Sequence, residues 1–306
     1  MGKTKVHIAA LFFTLFWGMS FVLTKIVFED YKPLTTVFLR LIISFSVLFL
    51  IITISCKAEK IKKEDLWLFL LSSFFNPFIY FIGESYGLKY VSASVSAFII
   101  ATIPVFTPIA AYKIFGERLS VTNIIGLFIS FFGIGLIVFN VNTELTVSPI
   151  GITFLFLGVF SAVTYTVFLK KLSFKYKPVT IIAWQNLIGS LYFLPFFLYF
   201  DLRDFLSVRP EGKVIFAVIG LGVFASSFAF VLFTYVIRNI GISRTNFYAN
   251  LVPVFAAIIA YFALGESFTI MKLVGMTVIV AGVILSEMEN NKTINDKREN
   301  VIHKRS

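Results

Sequence analysis

A few ionisable and amide side chains sit inside long apolar stretches of this chain, and chemistry would have to run through them. Glu84 is an embedded acid. It could take up a proton or meet a cationic group of a small solute, or it could be an interfacial acid paired with Lys25 or Lys89. An ionisable group at the centre of a bilayer costs roughly 2.5–3.5 kcal/mol on insertion scales, so each one needs a reason. Lys25 and Arg40 stand near the ends of their apolar stretches. Long basic side chains there can snorkel to the headgroups. Asn246 and Asn250 are four residues apart and so share one helix face. Buried amides want partners, either a solute or a neighbouring helix. Trp17, Tyr80 and Tyr165 could wall a cavity for an apolar or planar solute, or simply pack. Trp184-Gln185-Asn186 is a second polar island, structural if its helix is peripheral.

Other chemistries find no residues. There is one cysteine, Cys56, and the two histidines, His7 and His303, lie near the termini. That leaves no disulfide and no His/Cys metal site in the core. Neither a phosphate-cradling P-loop nor a dinucleotide-binding glycine motif occurs, so no cofactor or nucleotide is expected. Convergent His, Asp or metal-ligand groups that an intramembrane lipid-modifying enzyme would need are missing too, which makes that the alternative reading together with a non-transporting membrane scaffold.

These side chains must be positioned by elements that live in lipid. Of 306 residues 58% are apolar, 14% are charged, and Phe alone supplies 39. A soluble domain is about 45–50% apolar and about 25% charged. Ten stretches reach the length of about 20 residues that crosses a bilayer as a helix. They run over 6–27, 33–54, 66–87, 91–113, 121–140, 149–170, 179–200, 213–236, 243–264 and 270–287. Their length and all-round apolarity predict helices rather than barrel strands. Most of the 27 basic residues fall in alternate connections, such as Lys57 to Lys63 and Lys170 to Lys177, and in the two termini. The positive-inside rule therefore predicts cytoplasmic N- and C-termini. The net charge of +11 is divided by the membrane and is no nucleic-acid footprint.

Prolines punctuate several spans. Asn76-Pro77 interrupts span 3, where a freed carbonyl can face a solute or be absorbed by neighbours. The chain also matches itself. Set so that Pro104-Val-Phe106 meets Pro253-Val-Phe255, Ala111-Tyr112 meets Ala260-Tyr261, Gly116-Glu117 meets Gly265-Glu266, and Gly133 meets Gly282. Lys32-Pro33 and Lys177-Pro178 form a further pair. Pro104 and Pro253 predict matching bends in spans 4 and 9. The fold expected is an all-α membrane protein of ten transmembrane helices in two inverted five-helix repeats, 1–141 and 142–289, followed by a charged cytoplasmic tail, 290–306. Because five is odd, the second repeat enters from the opposite side, the plan of many secondary transporters. Glycine caps at Gly116 and Gly265 each precede an acid, read as a capping group for the next helix. Ser92-x-Ser94-x-Ser96-Ala97 and Ala225-Ser226-Ser227 are read as close-packing stretches.

With these features the sequence resembles the EamA-type ten-helix members of the drug/metabolite transporter superfamily, over about 6–288. The carriers are Trp17-Gly18-x-Ser20-Phe21 with Lys25, Arg40 in span 2, and the Pro-(x)11-Gly-Glu-(x)8-Gly pattern in each half. Ser161-Ala162 stand where the first half has Trp17-Gly18. The resemblance implies a gating or ion-pair role for Lys25 and Arg40, and a cavity formed by spans 1, 3, 4, 6, 8 and 9. It implies a secondary transporter, not an enzyme, moving a small metabolite such as an amino acid, nucleoside or drug-like solute. Export across a bacterial inner membrane by alternating access is the expected mode. Its partners would be the solute, membrane lipid and, through Glu84, a proton; facilitated diffusion stands beside proton coupling.

Overall fold

The computed structural model of the chain describes residues 3–55, 59–90, 99–100, 102–117, 120–139, 148–264, 270–271 and 273–285. Cys56, Lys57, the Ser92-Ser94-Ser96 run, Arg118, Gly265-Glu266, Lys272 and the tail 290–306 lie outside them, as does the Lys89 side chain. Among the described residues all regular structure is helical. The helices are α1 (Lys3–Val27), α2 (Pro33–Ile54), α3 (Leu66–Ser73), α4 (Tyr80–Tyr90), α5 (Ile103–Phe115), α6 (Val121–Phe139) and α7 (Pro149–Ser173). They continue with α8 (Pro178–Phe196), α9 (Leu202–Ser207), α10 (Gly212–Gly220), α11 (Ala229–Ile240), α12 (Ile242–Ala249), α13 (Val252–Leu264) and α14 (Leu273–Leu285).

Seven helical stretches are long and apolar enough to cross a bilayer: Thr4–Val27, Pro33–Ile54, Lys63–Gly87, Pro149–Ser173, Pro178–Ser207, Gly212–Ile240 and Ile242–Ala263. Shorter apolar helices, Ile103–Phe115, Val121–Leu136 and Leu273–Leu285, fall where the sequence predicts spans 4, 5 and 10. Large apolar side chains stand on the outside, with Phe216 at 77% and Phe262 at 81% exposure. In water such a surface would aggregate; in lipid it costs nothing.

Three of the long stretches are wound wider for a turn or two. Wide π turns occupy Phe74–Ile79, Phe197–Asp201 and Leu221–Phe228. The first follows from Pro77, which has no N–H to give the helix and whose ring displaces the preceding turn. Asn76 leaves helical geometry altogether, at φ −143° and ψ 120°. The carbonyl of Phe75, which also takes a backbone N–H at the end of the wide turn, accepts from the Ser161 hydroxyl at 2.6 Å. That bond gives Ser161 a task that the tryptophan at the matching place in the first half could not perform in the same way.

The pair α2 and α8 packs antiparallel, and each helix start is capped by the other's far end. Both begin Lys-Pro, with the proline in the first turn, where its missing N–H matters least. Neither has a side-chain cap of its own at the N-cap residue. Asp201, after α8, accepts from the Thr35 N–H at 3.0 Å and the Thr35 hydroxyl at 2.9 Å. Glu59, after α2, accepts from the Lys177 N–H at 2.9 Å and the Thr180 hydroxyl at 2.7 Å. Removing a capping side chain costs about 1 kcal/mol. Asp201→Ala is accordingly expected to lower the thermal midpoint of the detergent-purified protein; an unshifted midpoint would mean that this cap contributes nothing.

Pro104 and Pro253 each sit in the first turn of a helix, α5 and α13. Span 9 is broken, ending at Ala249 and restarting at Val252. Gly116 closes α5 in the left-handed region at φ 65°. Glu117, however, does not serve the helix that follows it. Its carboxylate caps α12, in the other half of the chain, accepting from the N–H groups of Ile242 and Ser243 at 3.1 Å each and from the Ser243 hydroxyl at 2.9 Å. It is also ion-paired with Lys170 at the end of α7.

Candidate functional site

The described polar groups converge where the first and third π turns meet the middles of α2 and α8. Ser44 of α2 is fully buried, and Asn186 and Gln185 of α8 are buried too. The Asn186 amide donates to Ser44 Oγ at 2.5 Å and to the Ser226 carbonyl at 3.1 Å. Ser227 Oγ lies 2.7 Å from Ser44 Oγ and 2.8 Å from the Gly222 carbonyl, one wide turn back. Gln185 donates to Ser72 Oγ, and its carbonyl oxygen accepts from the Tyr165 hydroxyl at 3.2 Å. A buried polar group without a partner is costly, and these bonds meet that need for both amides.

A small cavity opens within this network. Asn76, Tyr165, Gln185, Asn186 and Ser226 supply its polar wall; Leu41, Pro77, Phe81, Ile182 and Phe230 supply its apolar wall. At about 10 Å³ it has roughly the room of one water molecule. Its lining comes from spans 2, 3, 6, 7 and 8, so the two helices α2 and α8 contribute where the resemblance implies spans 1, 4 and 9. Span 7 is not peripheral: Trp184 faces outward at 39% exposure while Gln185 and Asn186 turn inward.

Beside the cavity lies a charged cluster. Arg40 is 6% exposed and does not snorkel. Its Nε donates to Ser226 Oγ at 2.7 Å, and its guanidinium sits over the Phe81 ring, 4.6 Å from the centroid. These two contacts hold it inward, because Ser226 is carried by the third π turn and Phe81 by α4. Glu84 accepts from the Tyr80 hydroxyl at 3.0 Å, one turn back on the same helix. Arg40 is within coulombic range of both Glu84 and Tyr80. The cation that faces Glu84 is thus Arg40 rather than Lys25, which is exposed in the last turn of α1.

The other predicted residues divide. Trp17 packs on Phe230 and Phe233, at 5.2 and 4.9 Å between ring centroids, and so backs the cavity wall through Phe230. Tyr165 lines the cavity directly and Pro77 forms part of its apolar side. Asn246 and Asn250 are buried in and after α12, apart from these residues. Asn246 donates to the Ile242 carbonyl at 3.0 Å, and the Asn250 amide nitrogen is buried without a partner. The sequence reading takes Ser226 and Ser227 for packing residues and leaves Ser44 out. Their signal is the same as that of Glu84: a polar side chain in an otherwise apolar helix.

The model of the EamA-like transporter family matches the chain twice, at residues 4–139 and 149–288. The chain belongs to the EamA-like transporter family. An uncharacterized transporter of Archaeoglobus fulgidus is 27% identical over 274 residues, covering 88% of this chain and 94% of that one. The uncharacterized transporter YoaV of Bacillus subtilis is 26% identical over 292 residues, covering 92% and 96%. A solved crystal structure superposes with a TM-score of 0.80 at 15% identity, over 93% of this chain and 98% of that chain, so the fold is shared. This EamA-like protein is membrane-embedded and multi-pass, with the family's transporter character.

Proposed function

We infer that this EamA-like protein is a secondary transporter that exports a small metabolite by alternating access. The cavity of Asn76, Tyr165, Gln185, Asn186 and Ser226 carries this reading. It sits between helices of both family-matched segments, beside the first and third π turns, and wide turns of this kind are frequent at functional sites. The two matched segments support an architecture of ten helices in inverted repeats, 1–141 and 142–289. The mutual caps of α2 and α8 support it as well, since each half supplies the acid that the other half's Lys-Pro helix lacks. The distribution of basic residues supports an inner-membrane protein with both termini in the cytoplasm. With the cavity as small as it is, solute entry requires the two segments to move apart.

Glu84 is the acid through which a proton would couple. It is half-buried, held by Tyr80 and close to a cation whose influence it would feel on losing a proton. In proteoliposomes with an imposed pH gradient, Glu84→Gln is expected to abolish gradient-driven solute movement while leaving downhill exchange. Equal gradient-driven movement in the variant would put coupling elsewhere.

A further inference from the structure

The buried cation Arg40 is only partly satisfied by the protein. Its Nε bond to Ser226 and its place over Phe81 are its close contacts with described residues. Both terminal nitrogens are without a hydrogen bond to any described residue, and no described carboxylate comes within 4 Å. A guanidinium carries five N–H donors in a rigid fork, so four of them are unused. A charge kept out of water at this depth is costly until an opposite charge meets it. The protein has an acid within coulombic range, yet ties it to Tyr80 instead of closing an ion pair. Ser226 and Phe81, the two side chains that Arg40 touches, are themselves cavity lining. A solute that enlarges the cavity by displacing either of them uncovers the fork.

We propose that the terminal nitrogens of Arg40, with the Ser226 hydroxyl, form the subsite for a carboxylate of the transported solute. This rests on the transporter reading above. The planar two-oxygen carboxylate matches the fork bidentately, a fit that a lysine ammonium lacks. Glu84 narrows the class further. Whenever Glu84 is ionised, its negative charge nearby works against a doubly charged phosphate more than against a singly charged carboxylate.

Proteoliposomes holding the full-length protein and loaded with L-phenylalanine, L-threonine, lactate, phenylacetate, the four matching carboxamides, glucose 6-phosphate and adenosine test this. Efflux of each is followed by mass spectrometry. The expected result is that the solutes that leave carry a carboxylate and that each outruns its own carboxamide at least tenfold. Arg40→Lys, chosen to keep the charge and checked for a wild-type melting temperature, is expected to slow those solutes by an order of magnitude. The comparison of acid with amide needs no variant and stands even if Arg40→Lys does not fold. Amides leaving as fast as acids, or efflux confined to adenosine or the phosphate ester, overturns the subsite and leaves the transporter reading intact. Efflux of none of the ten overturns both.

Discussion

Gly83→Val is expected to leave little folded protein in the membrane. Helices α4 and α7 cross with backbone against backbone at this point. A Cβ on Gly83 would lie 2.6 Å from the Phe154 carbonyl oxygen and 2.7 Å from the Gly158 nitrogen. Neither is the end of a flexible side chain, so neither can step aside. Small residues at a crossing are how membrane helices gain close van der Waals contact in the absence of a hydrophobic drive between them. Prising the crossing apart also moves Glu84 and Tyr80, one residue and three residues away along α4. Overpacking a filled interior costs about 1–3 kcal/mol even where side chains can adjust. Here the valine should exceed that range, and Gly83→Ala should fall nearer to it. The measure is the monodisperse fraction on size-exclusion chromatography and the thermal midpoint in detergent. A valine variant with the wild-type midpoint would show that the crossing is looser than its distances imply.

Glu117→Ala carries the second large effect. The carboxylate joins three parts of the fold: the turn after α5, Lys170 of α7, and the start of α12. Lys170 and Glu117 expose only 11% and 18% of their side chains, and Lys170 also lies over the Phe115 ring. Removing one member of a buried pair costs about 3–5 kcal/mol, much of it from the orphaned charge. The double variant Glu117→Ala/Lys170→Met should therefore be more stable than Glu117→Ala alone. If it is less stable, the damage comes from the lost cap of α12 rather than from the lysine. Gly241 belongs to the same joint. At φ 89° it brings α12 up to the acid, and a Cβ there would lie 2.9 Å from Glu117 Oε1.

The joint has a pH sign. Burial pushes the Glu117 carboxyl up, but the Lys170 bond and the Ser243 and Ile242 N–H groups outweigh it and hold it below the ordinary value. A group whose value is lowered by folding contributes its stability above the unfolded value, about 4.3 for glutamate. That contribution drains away as pH falls below this and through the lowered folded value. Acid unfastens the joint.

The sequence exposes what depends on local pattern. Apolar length finds the helices, Lys-Pro finds where α2 and α8 begin, and Asn76-Pro77 finds the first wide turn. Tyr165 is legible as a candidate aromatic wall of a cavity, and the structure places it in the lining. The facing of a polar island is not legible in the same way. Trp184, Gln185 and Asn186 are consecutive, so a helix spreads them over most of its circumference, and only contacts with α2, α3 and α7 decide which of them turn inward. Arg40 reads as a snorkelling residue until Ser226 and Phe81, far away in sequence, are seen to hold it. Glu117 reads as a cap for its neighbour in sequence, because its true client begins more than a hundred residues later.

The exchanged caps of α2 and α8 bear on how the chain is made. When only the first half has left the ribosome, the opening turn of α2 has no Asp201, and the Glu59 carboxylate has no helix start to receive. Each helix can enter the bilayer on its apolar length alone, but neither terminus is finished until both are present. The start of α2 is therefore finished late: its Asp201 cap is supplied only once synthesis has passed α8.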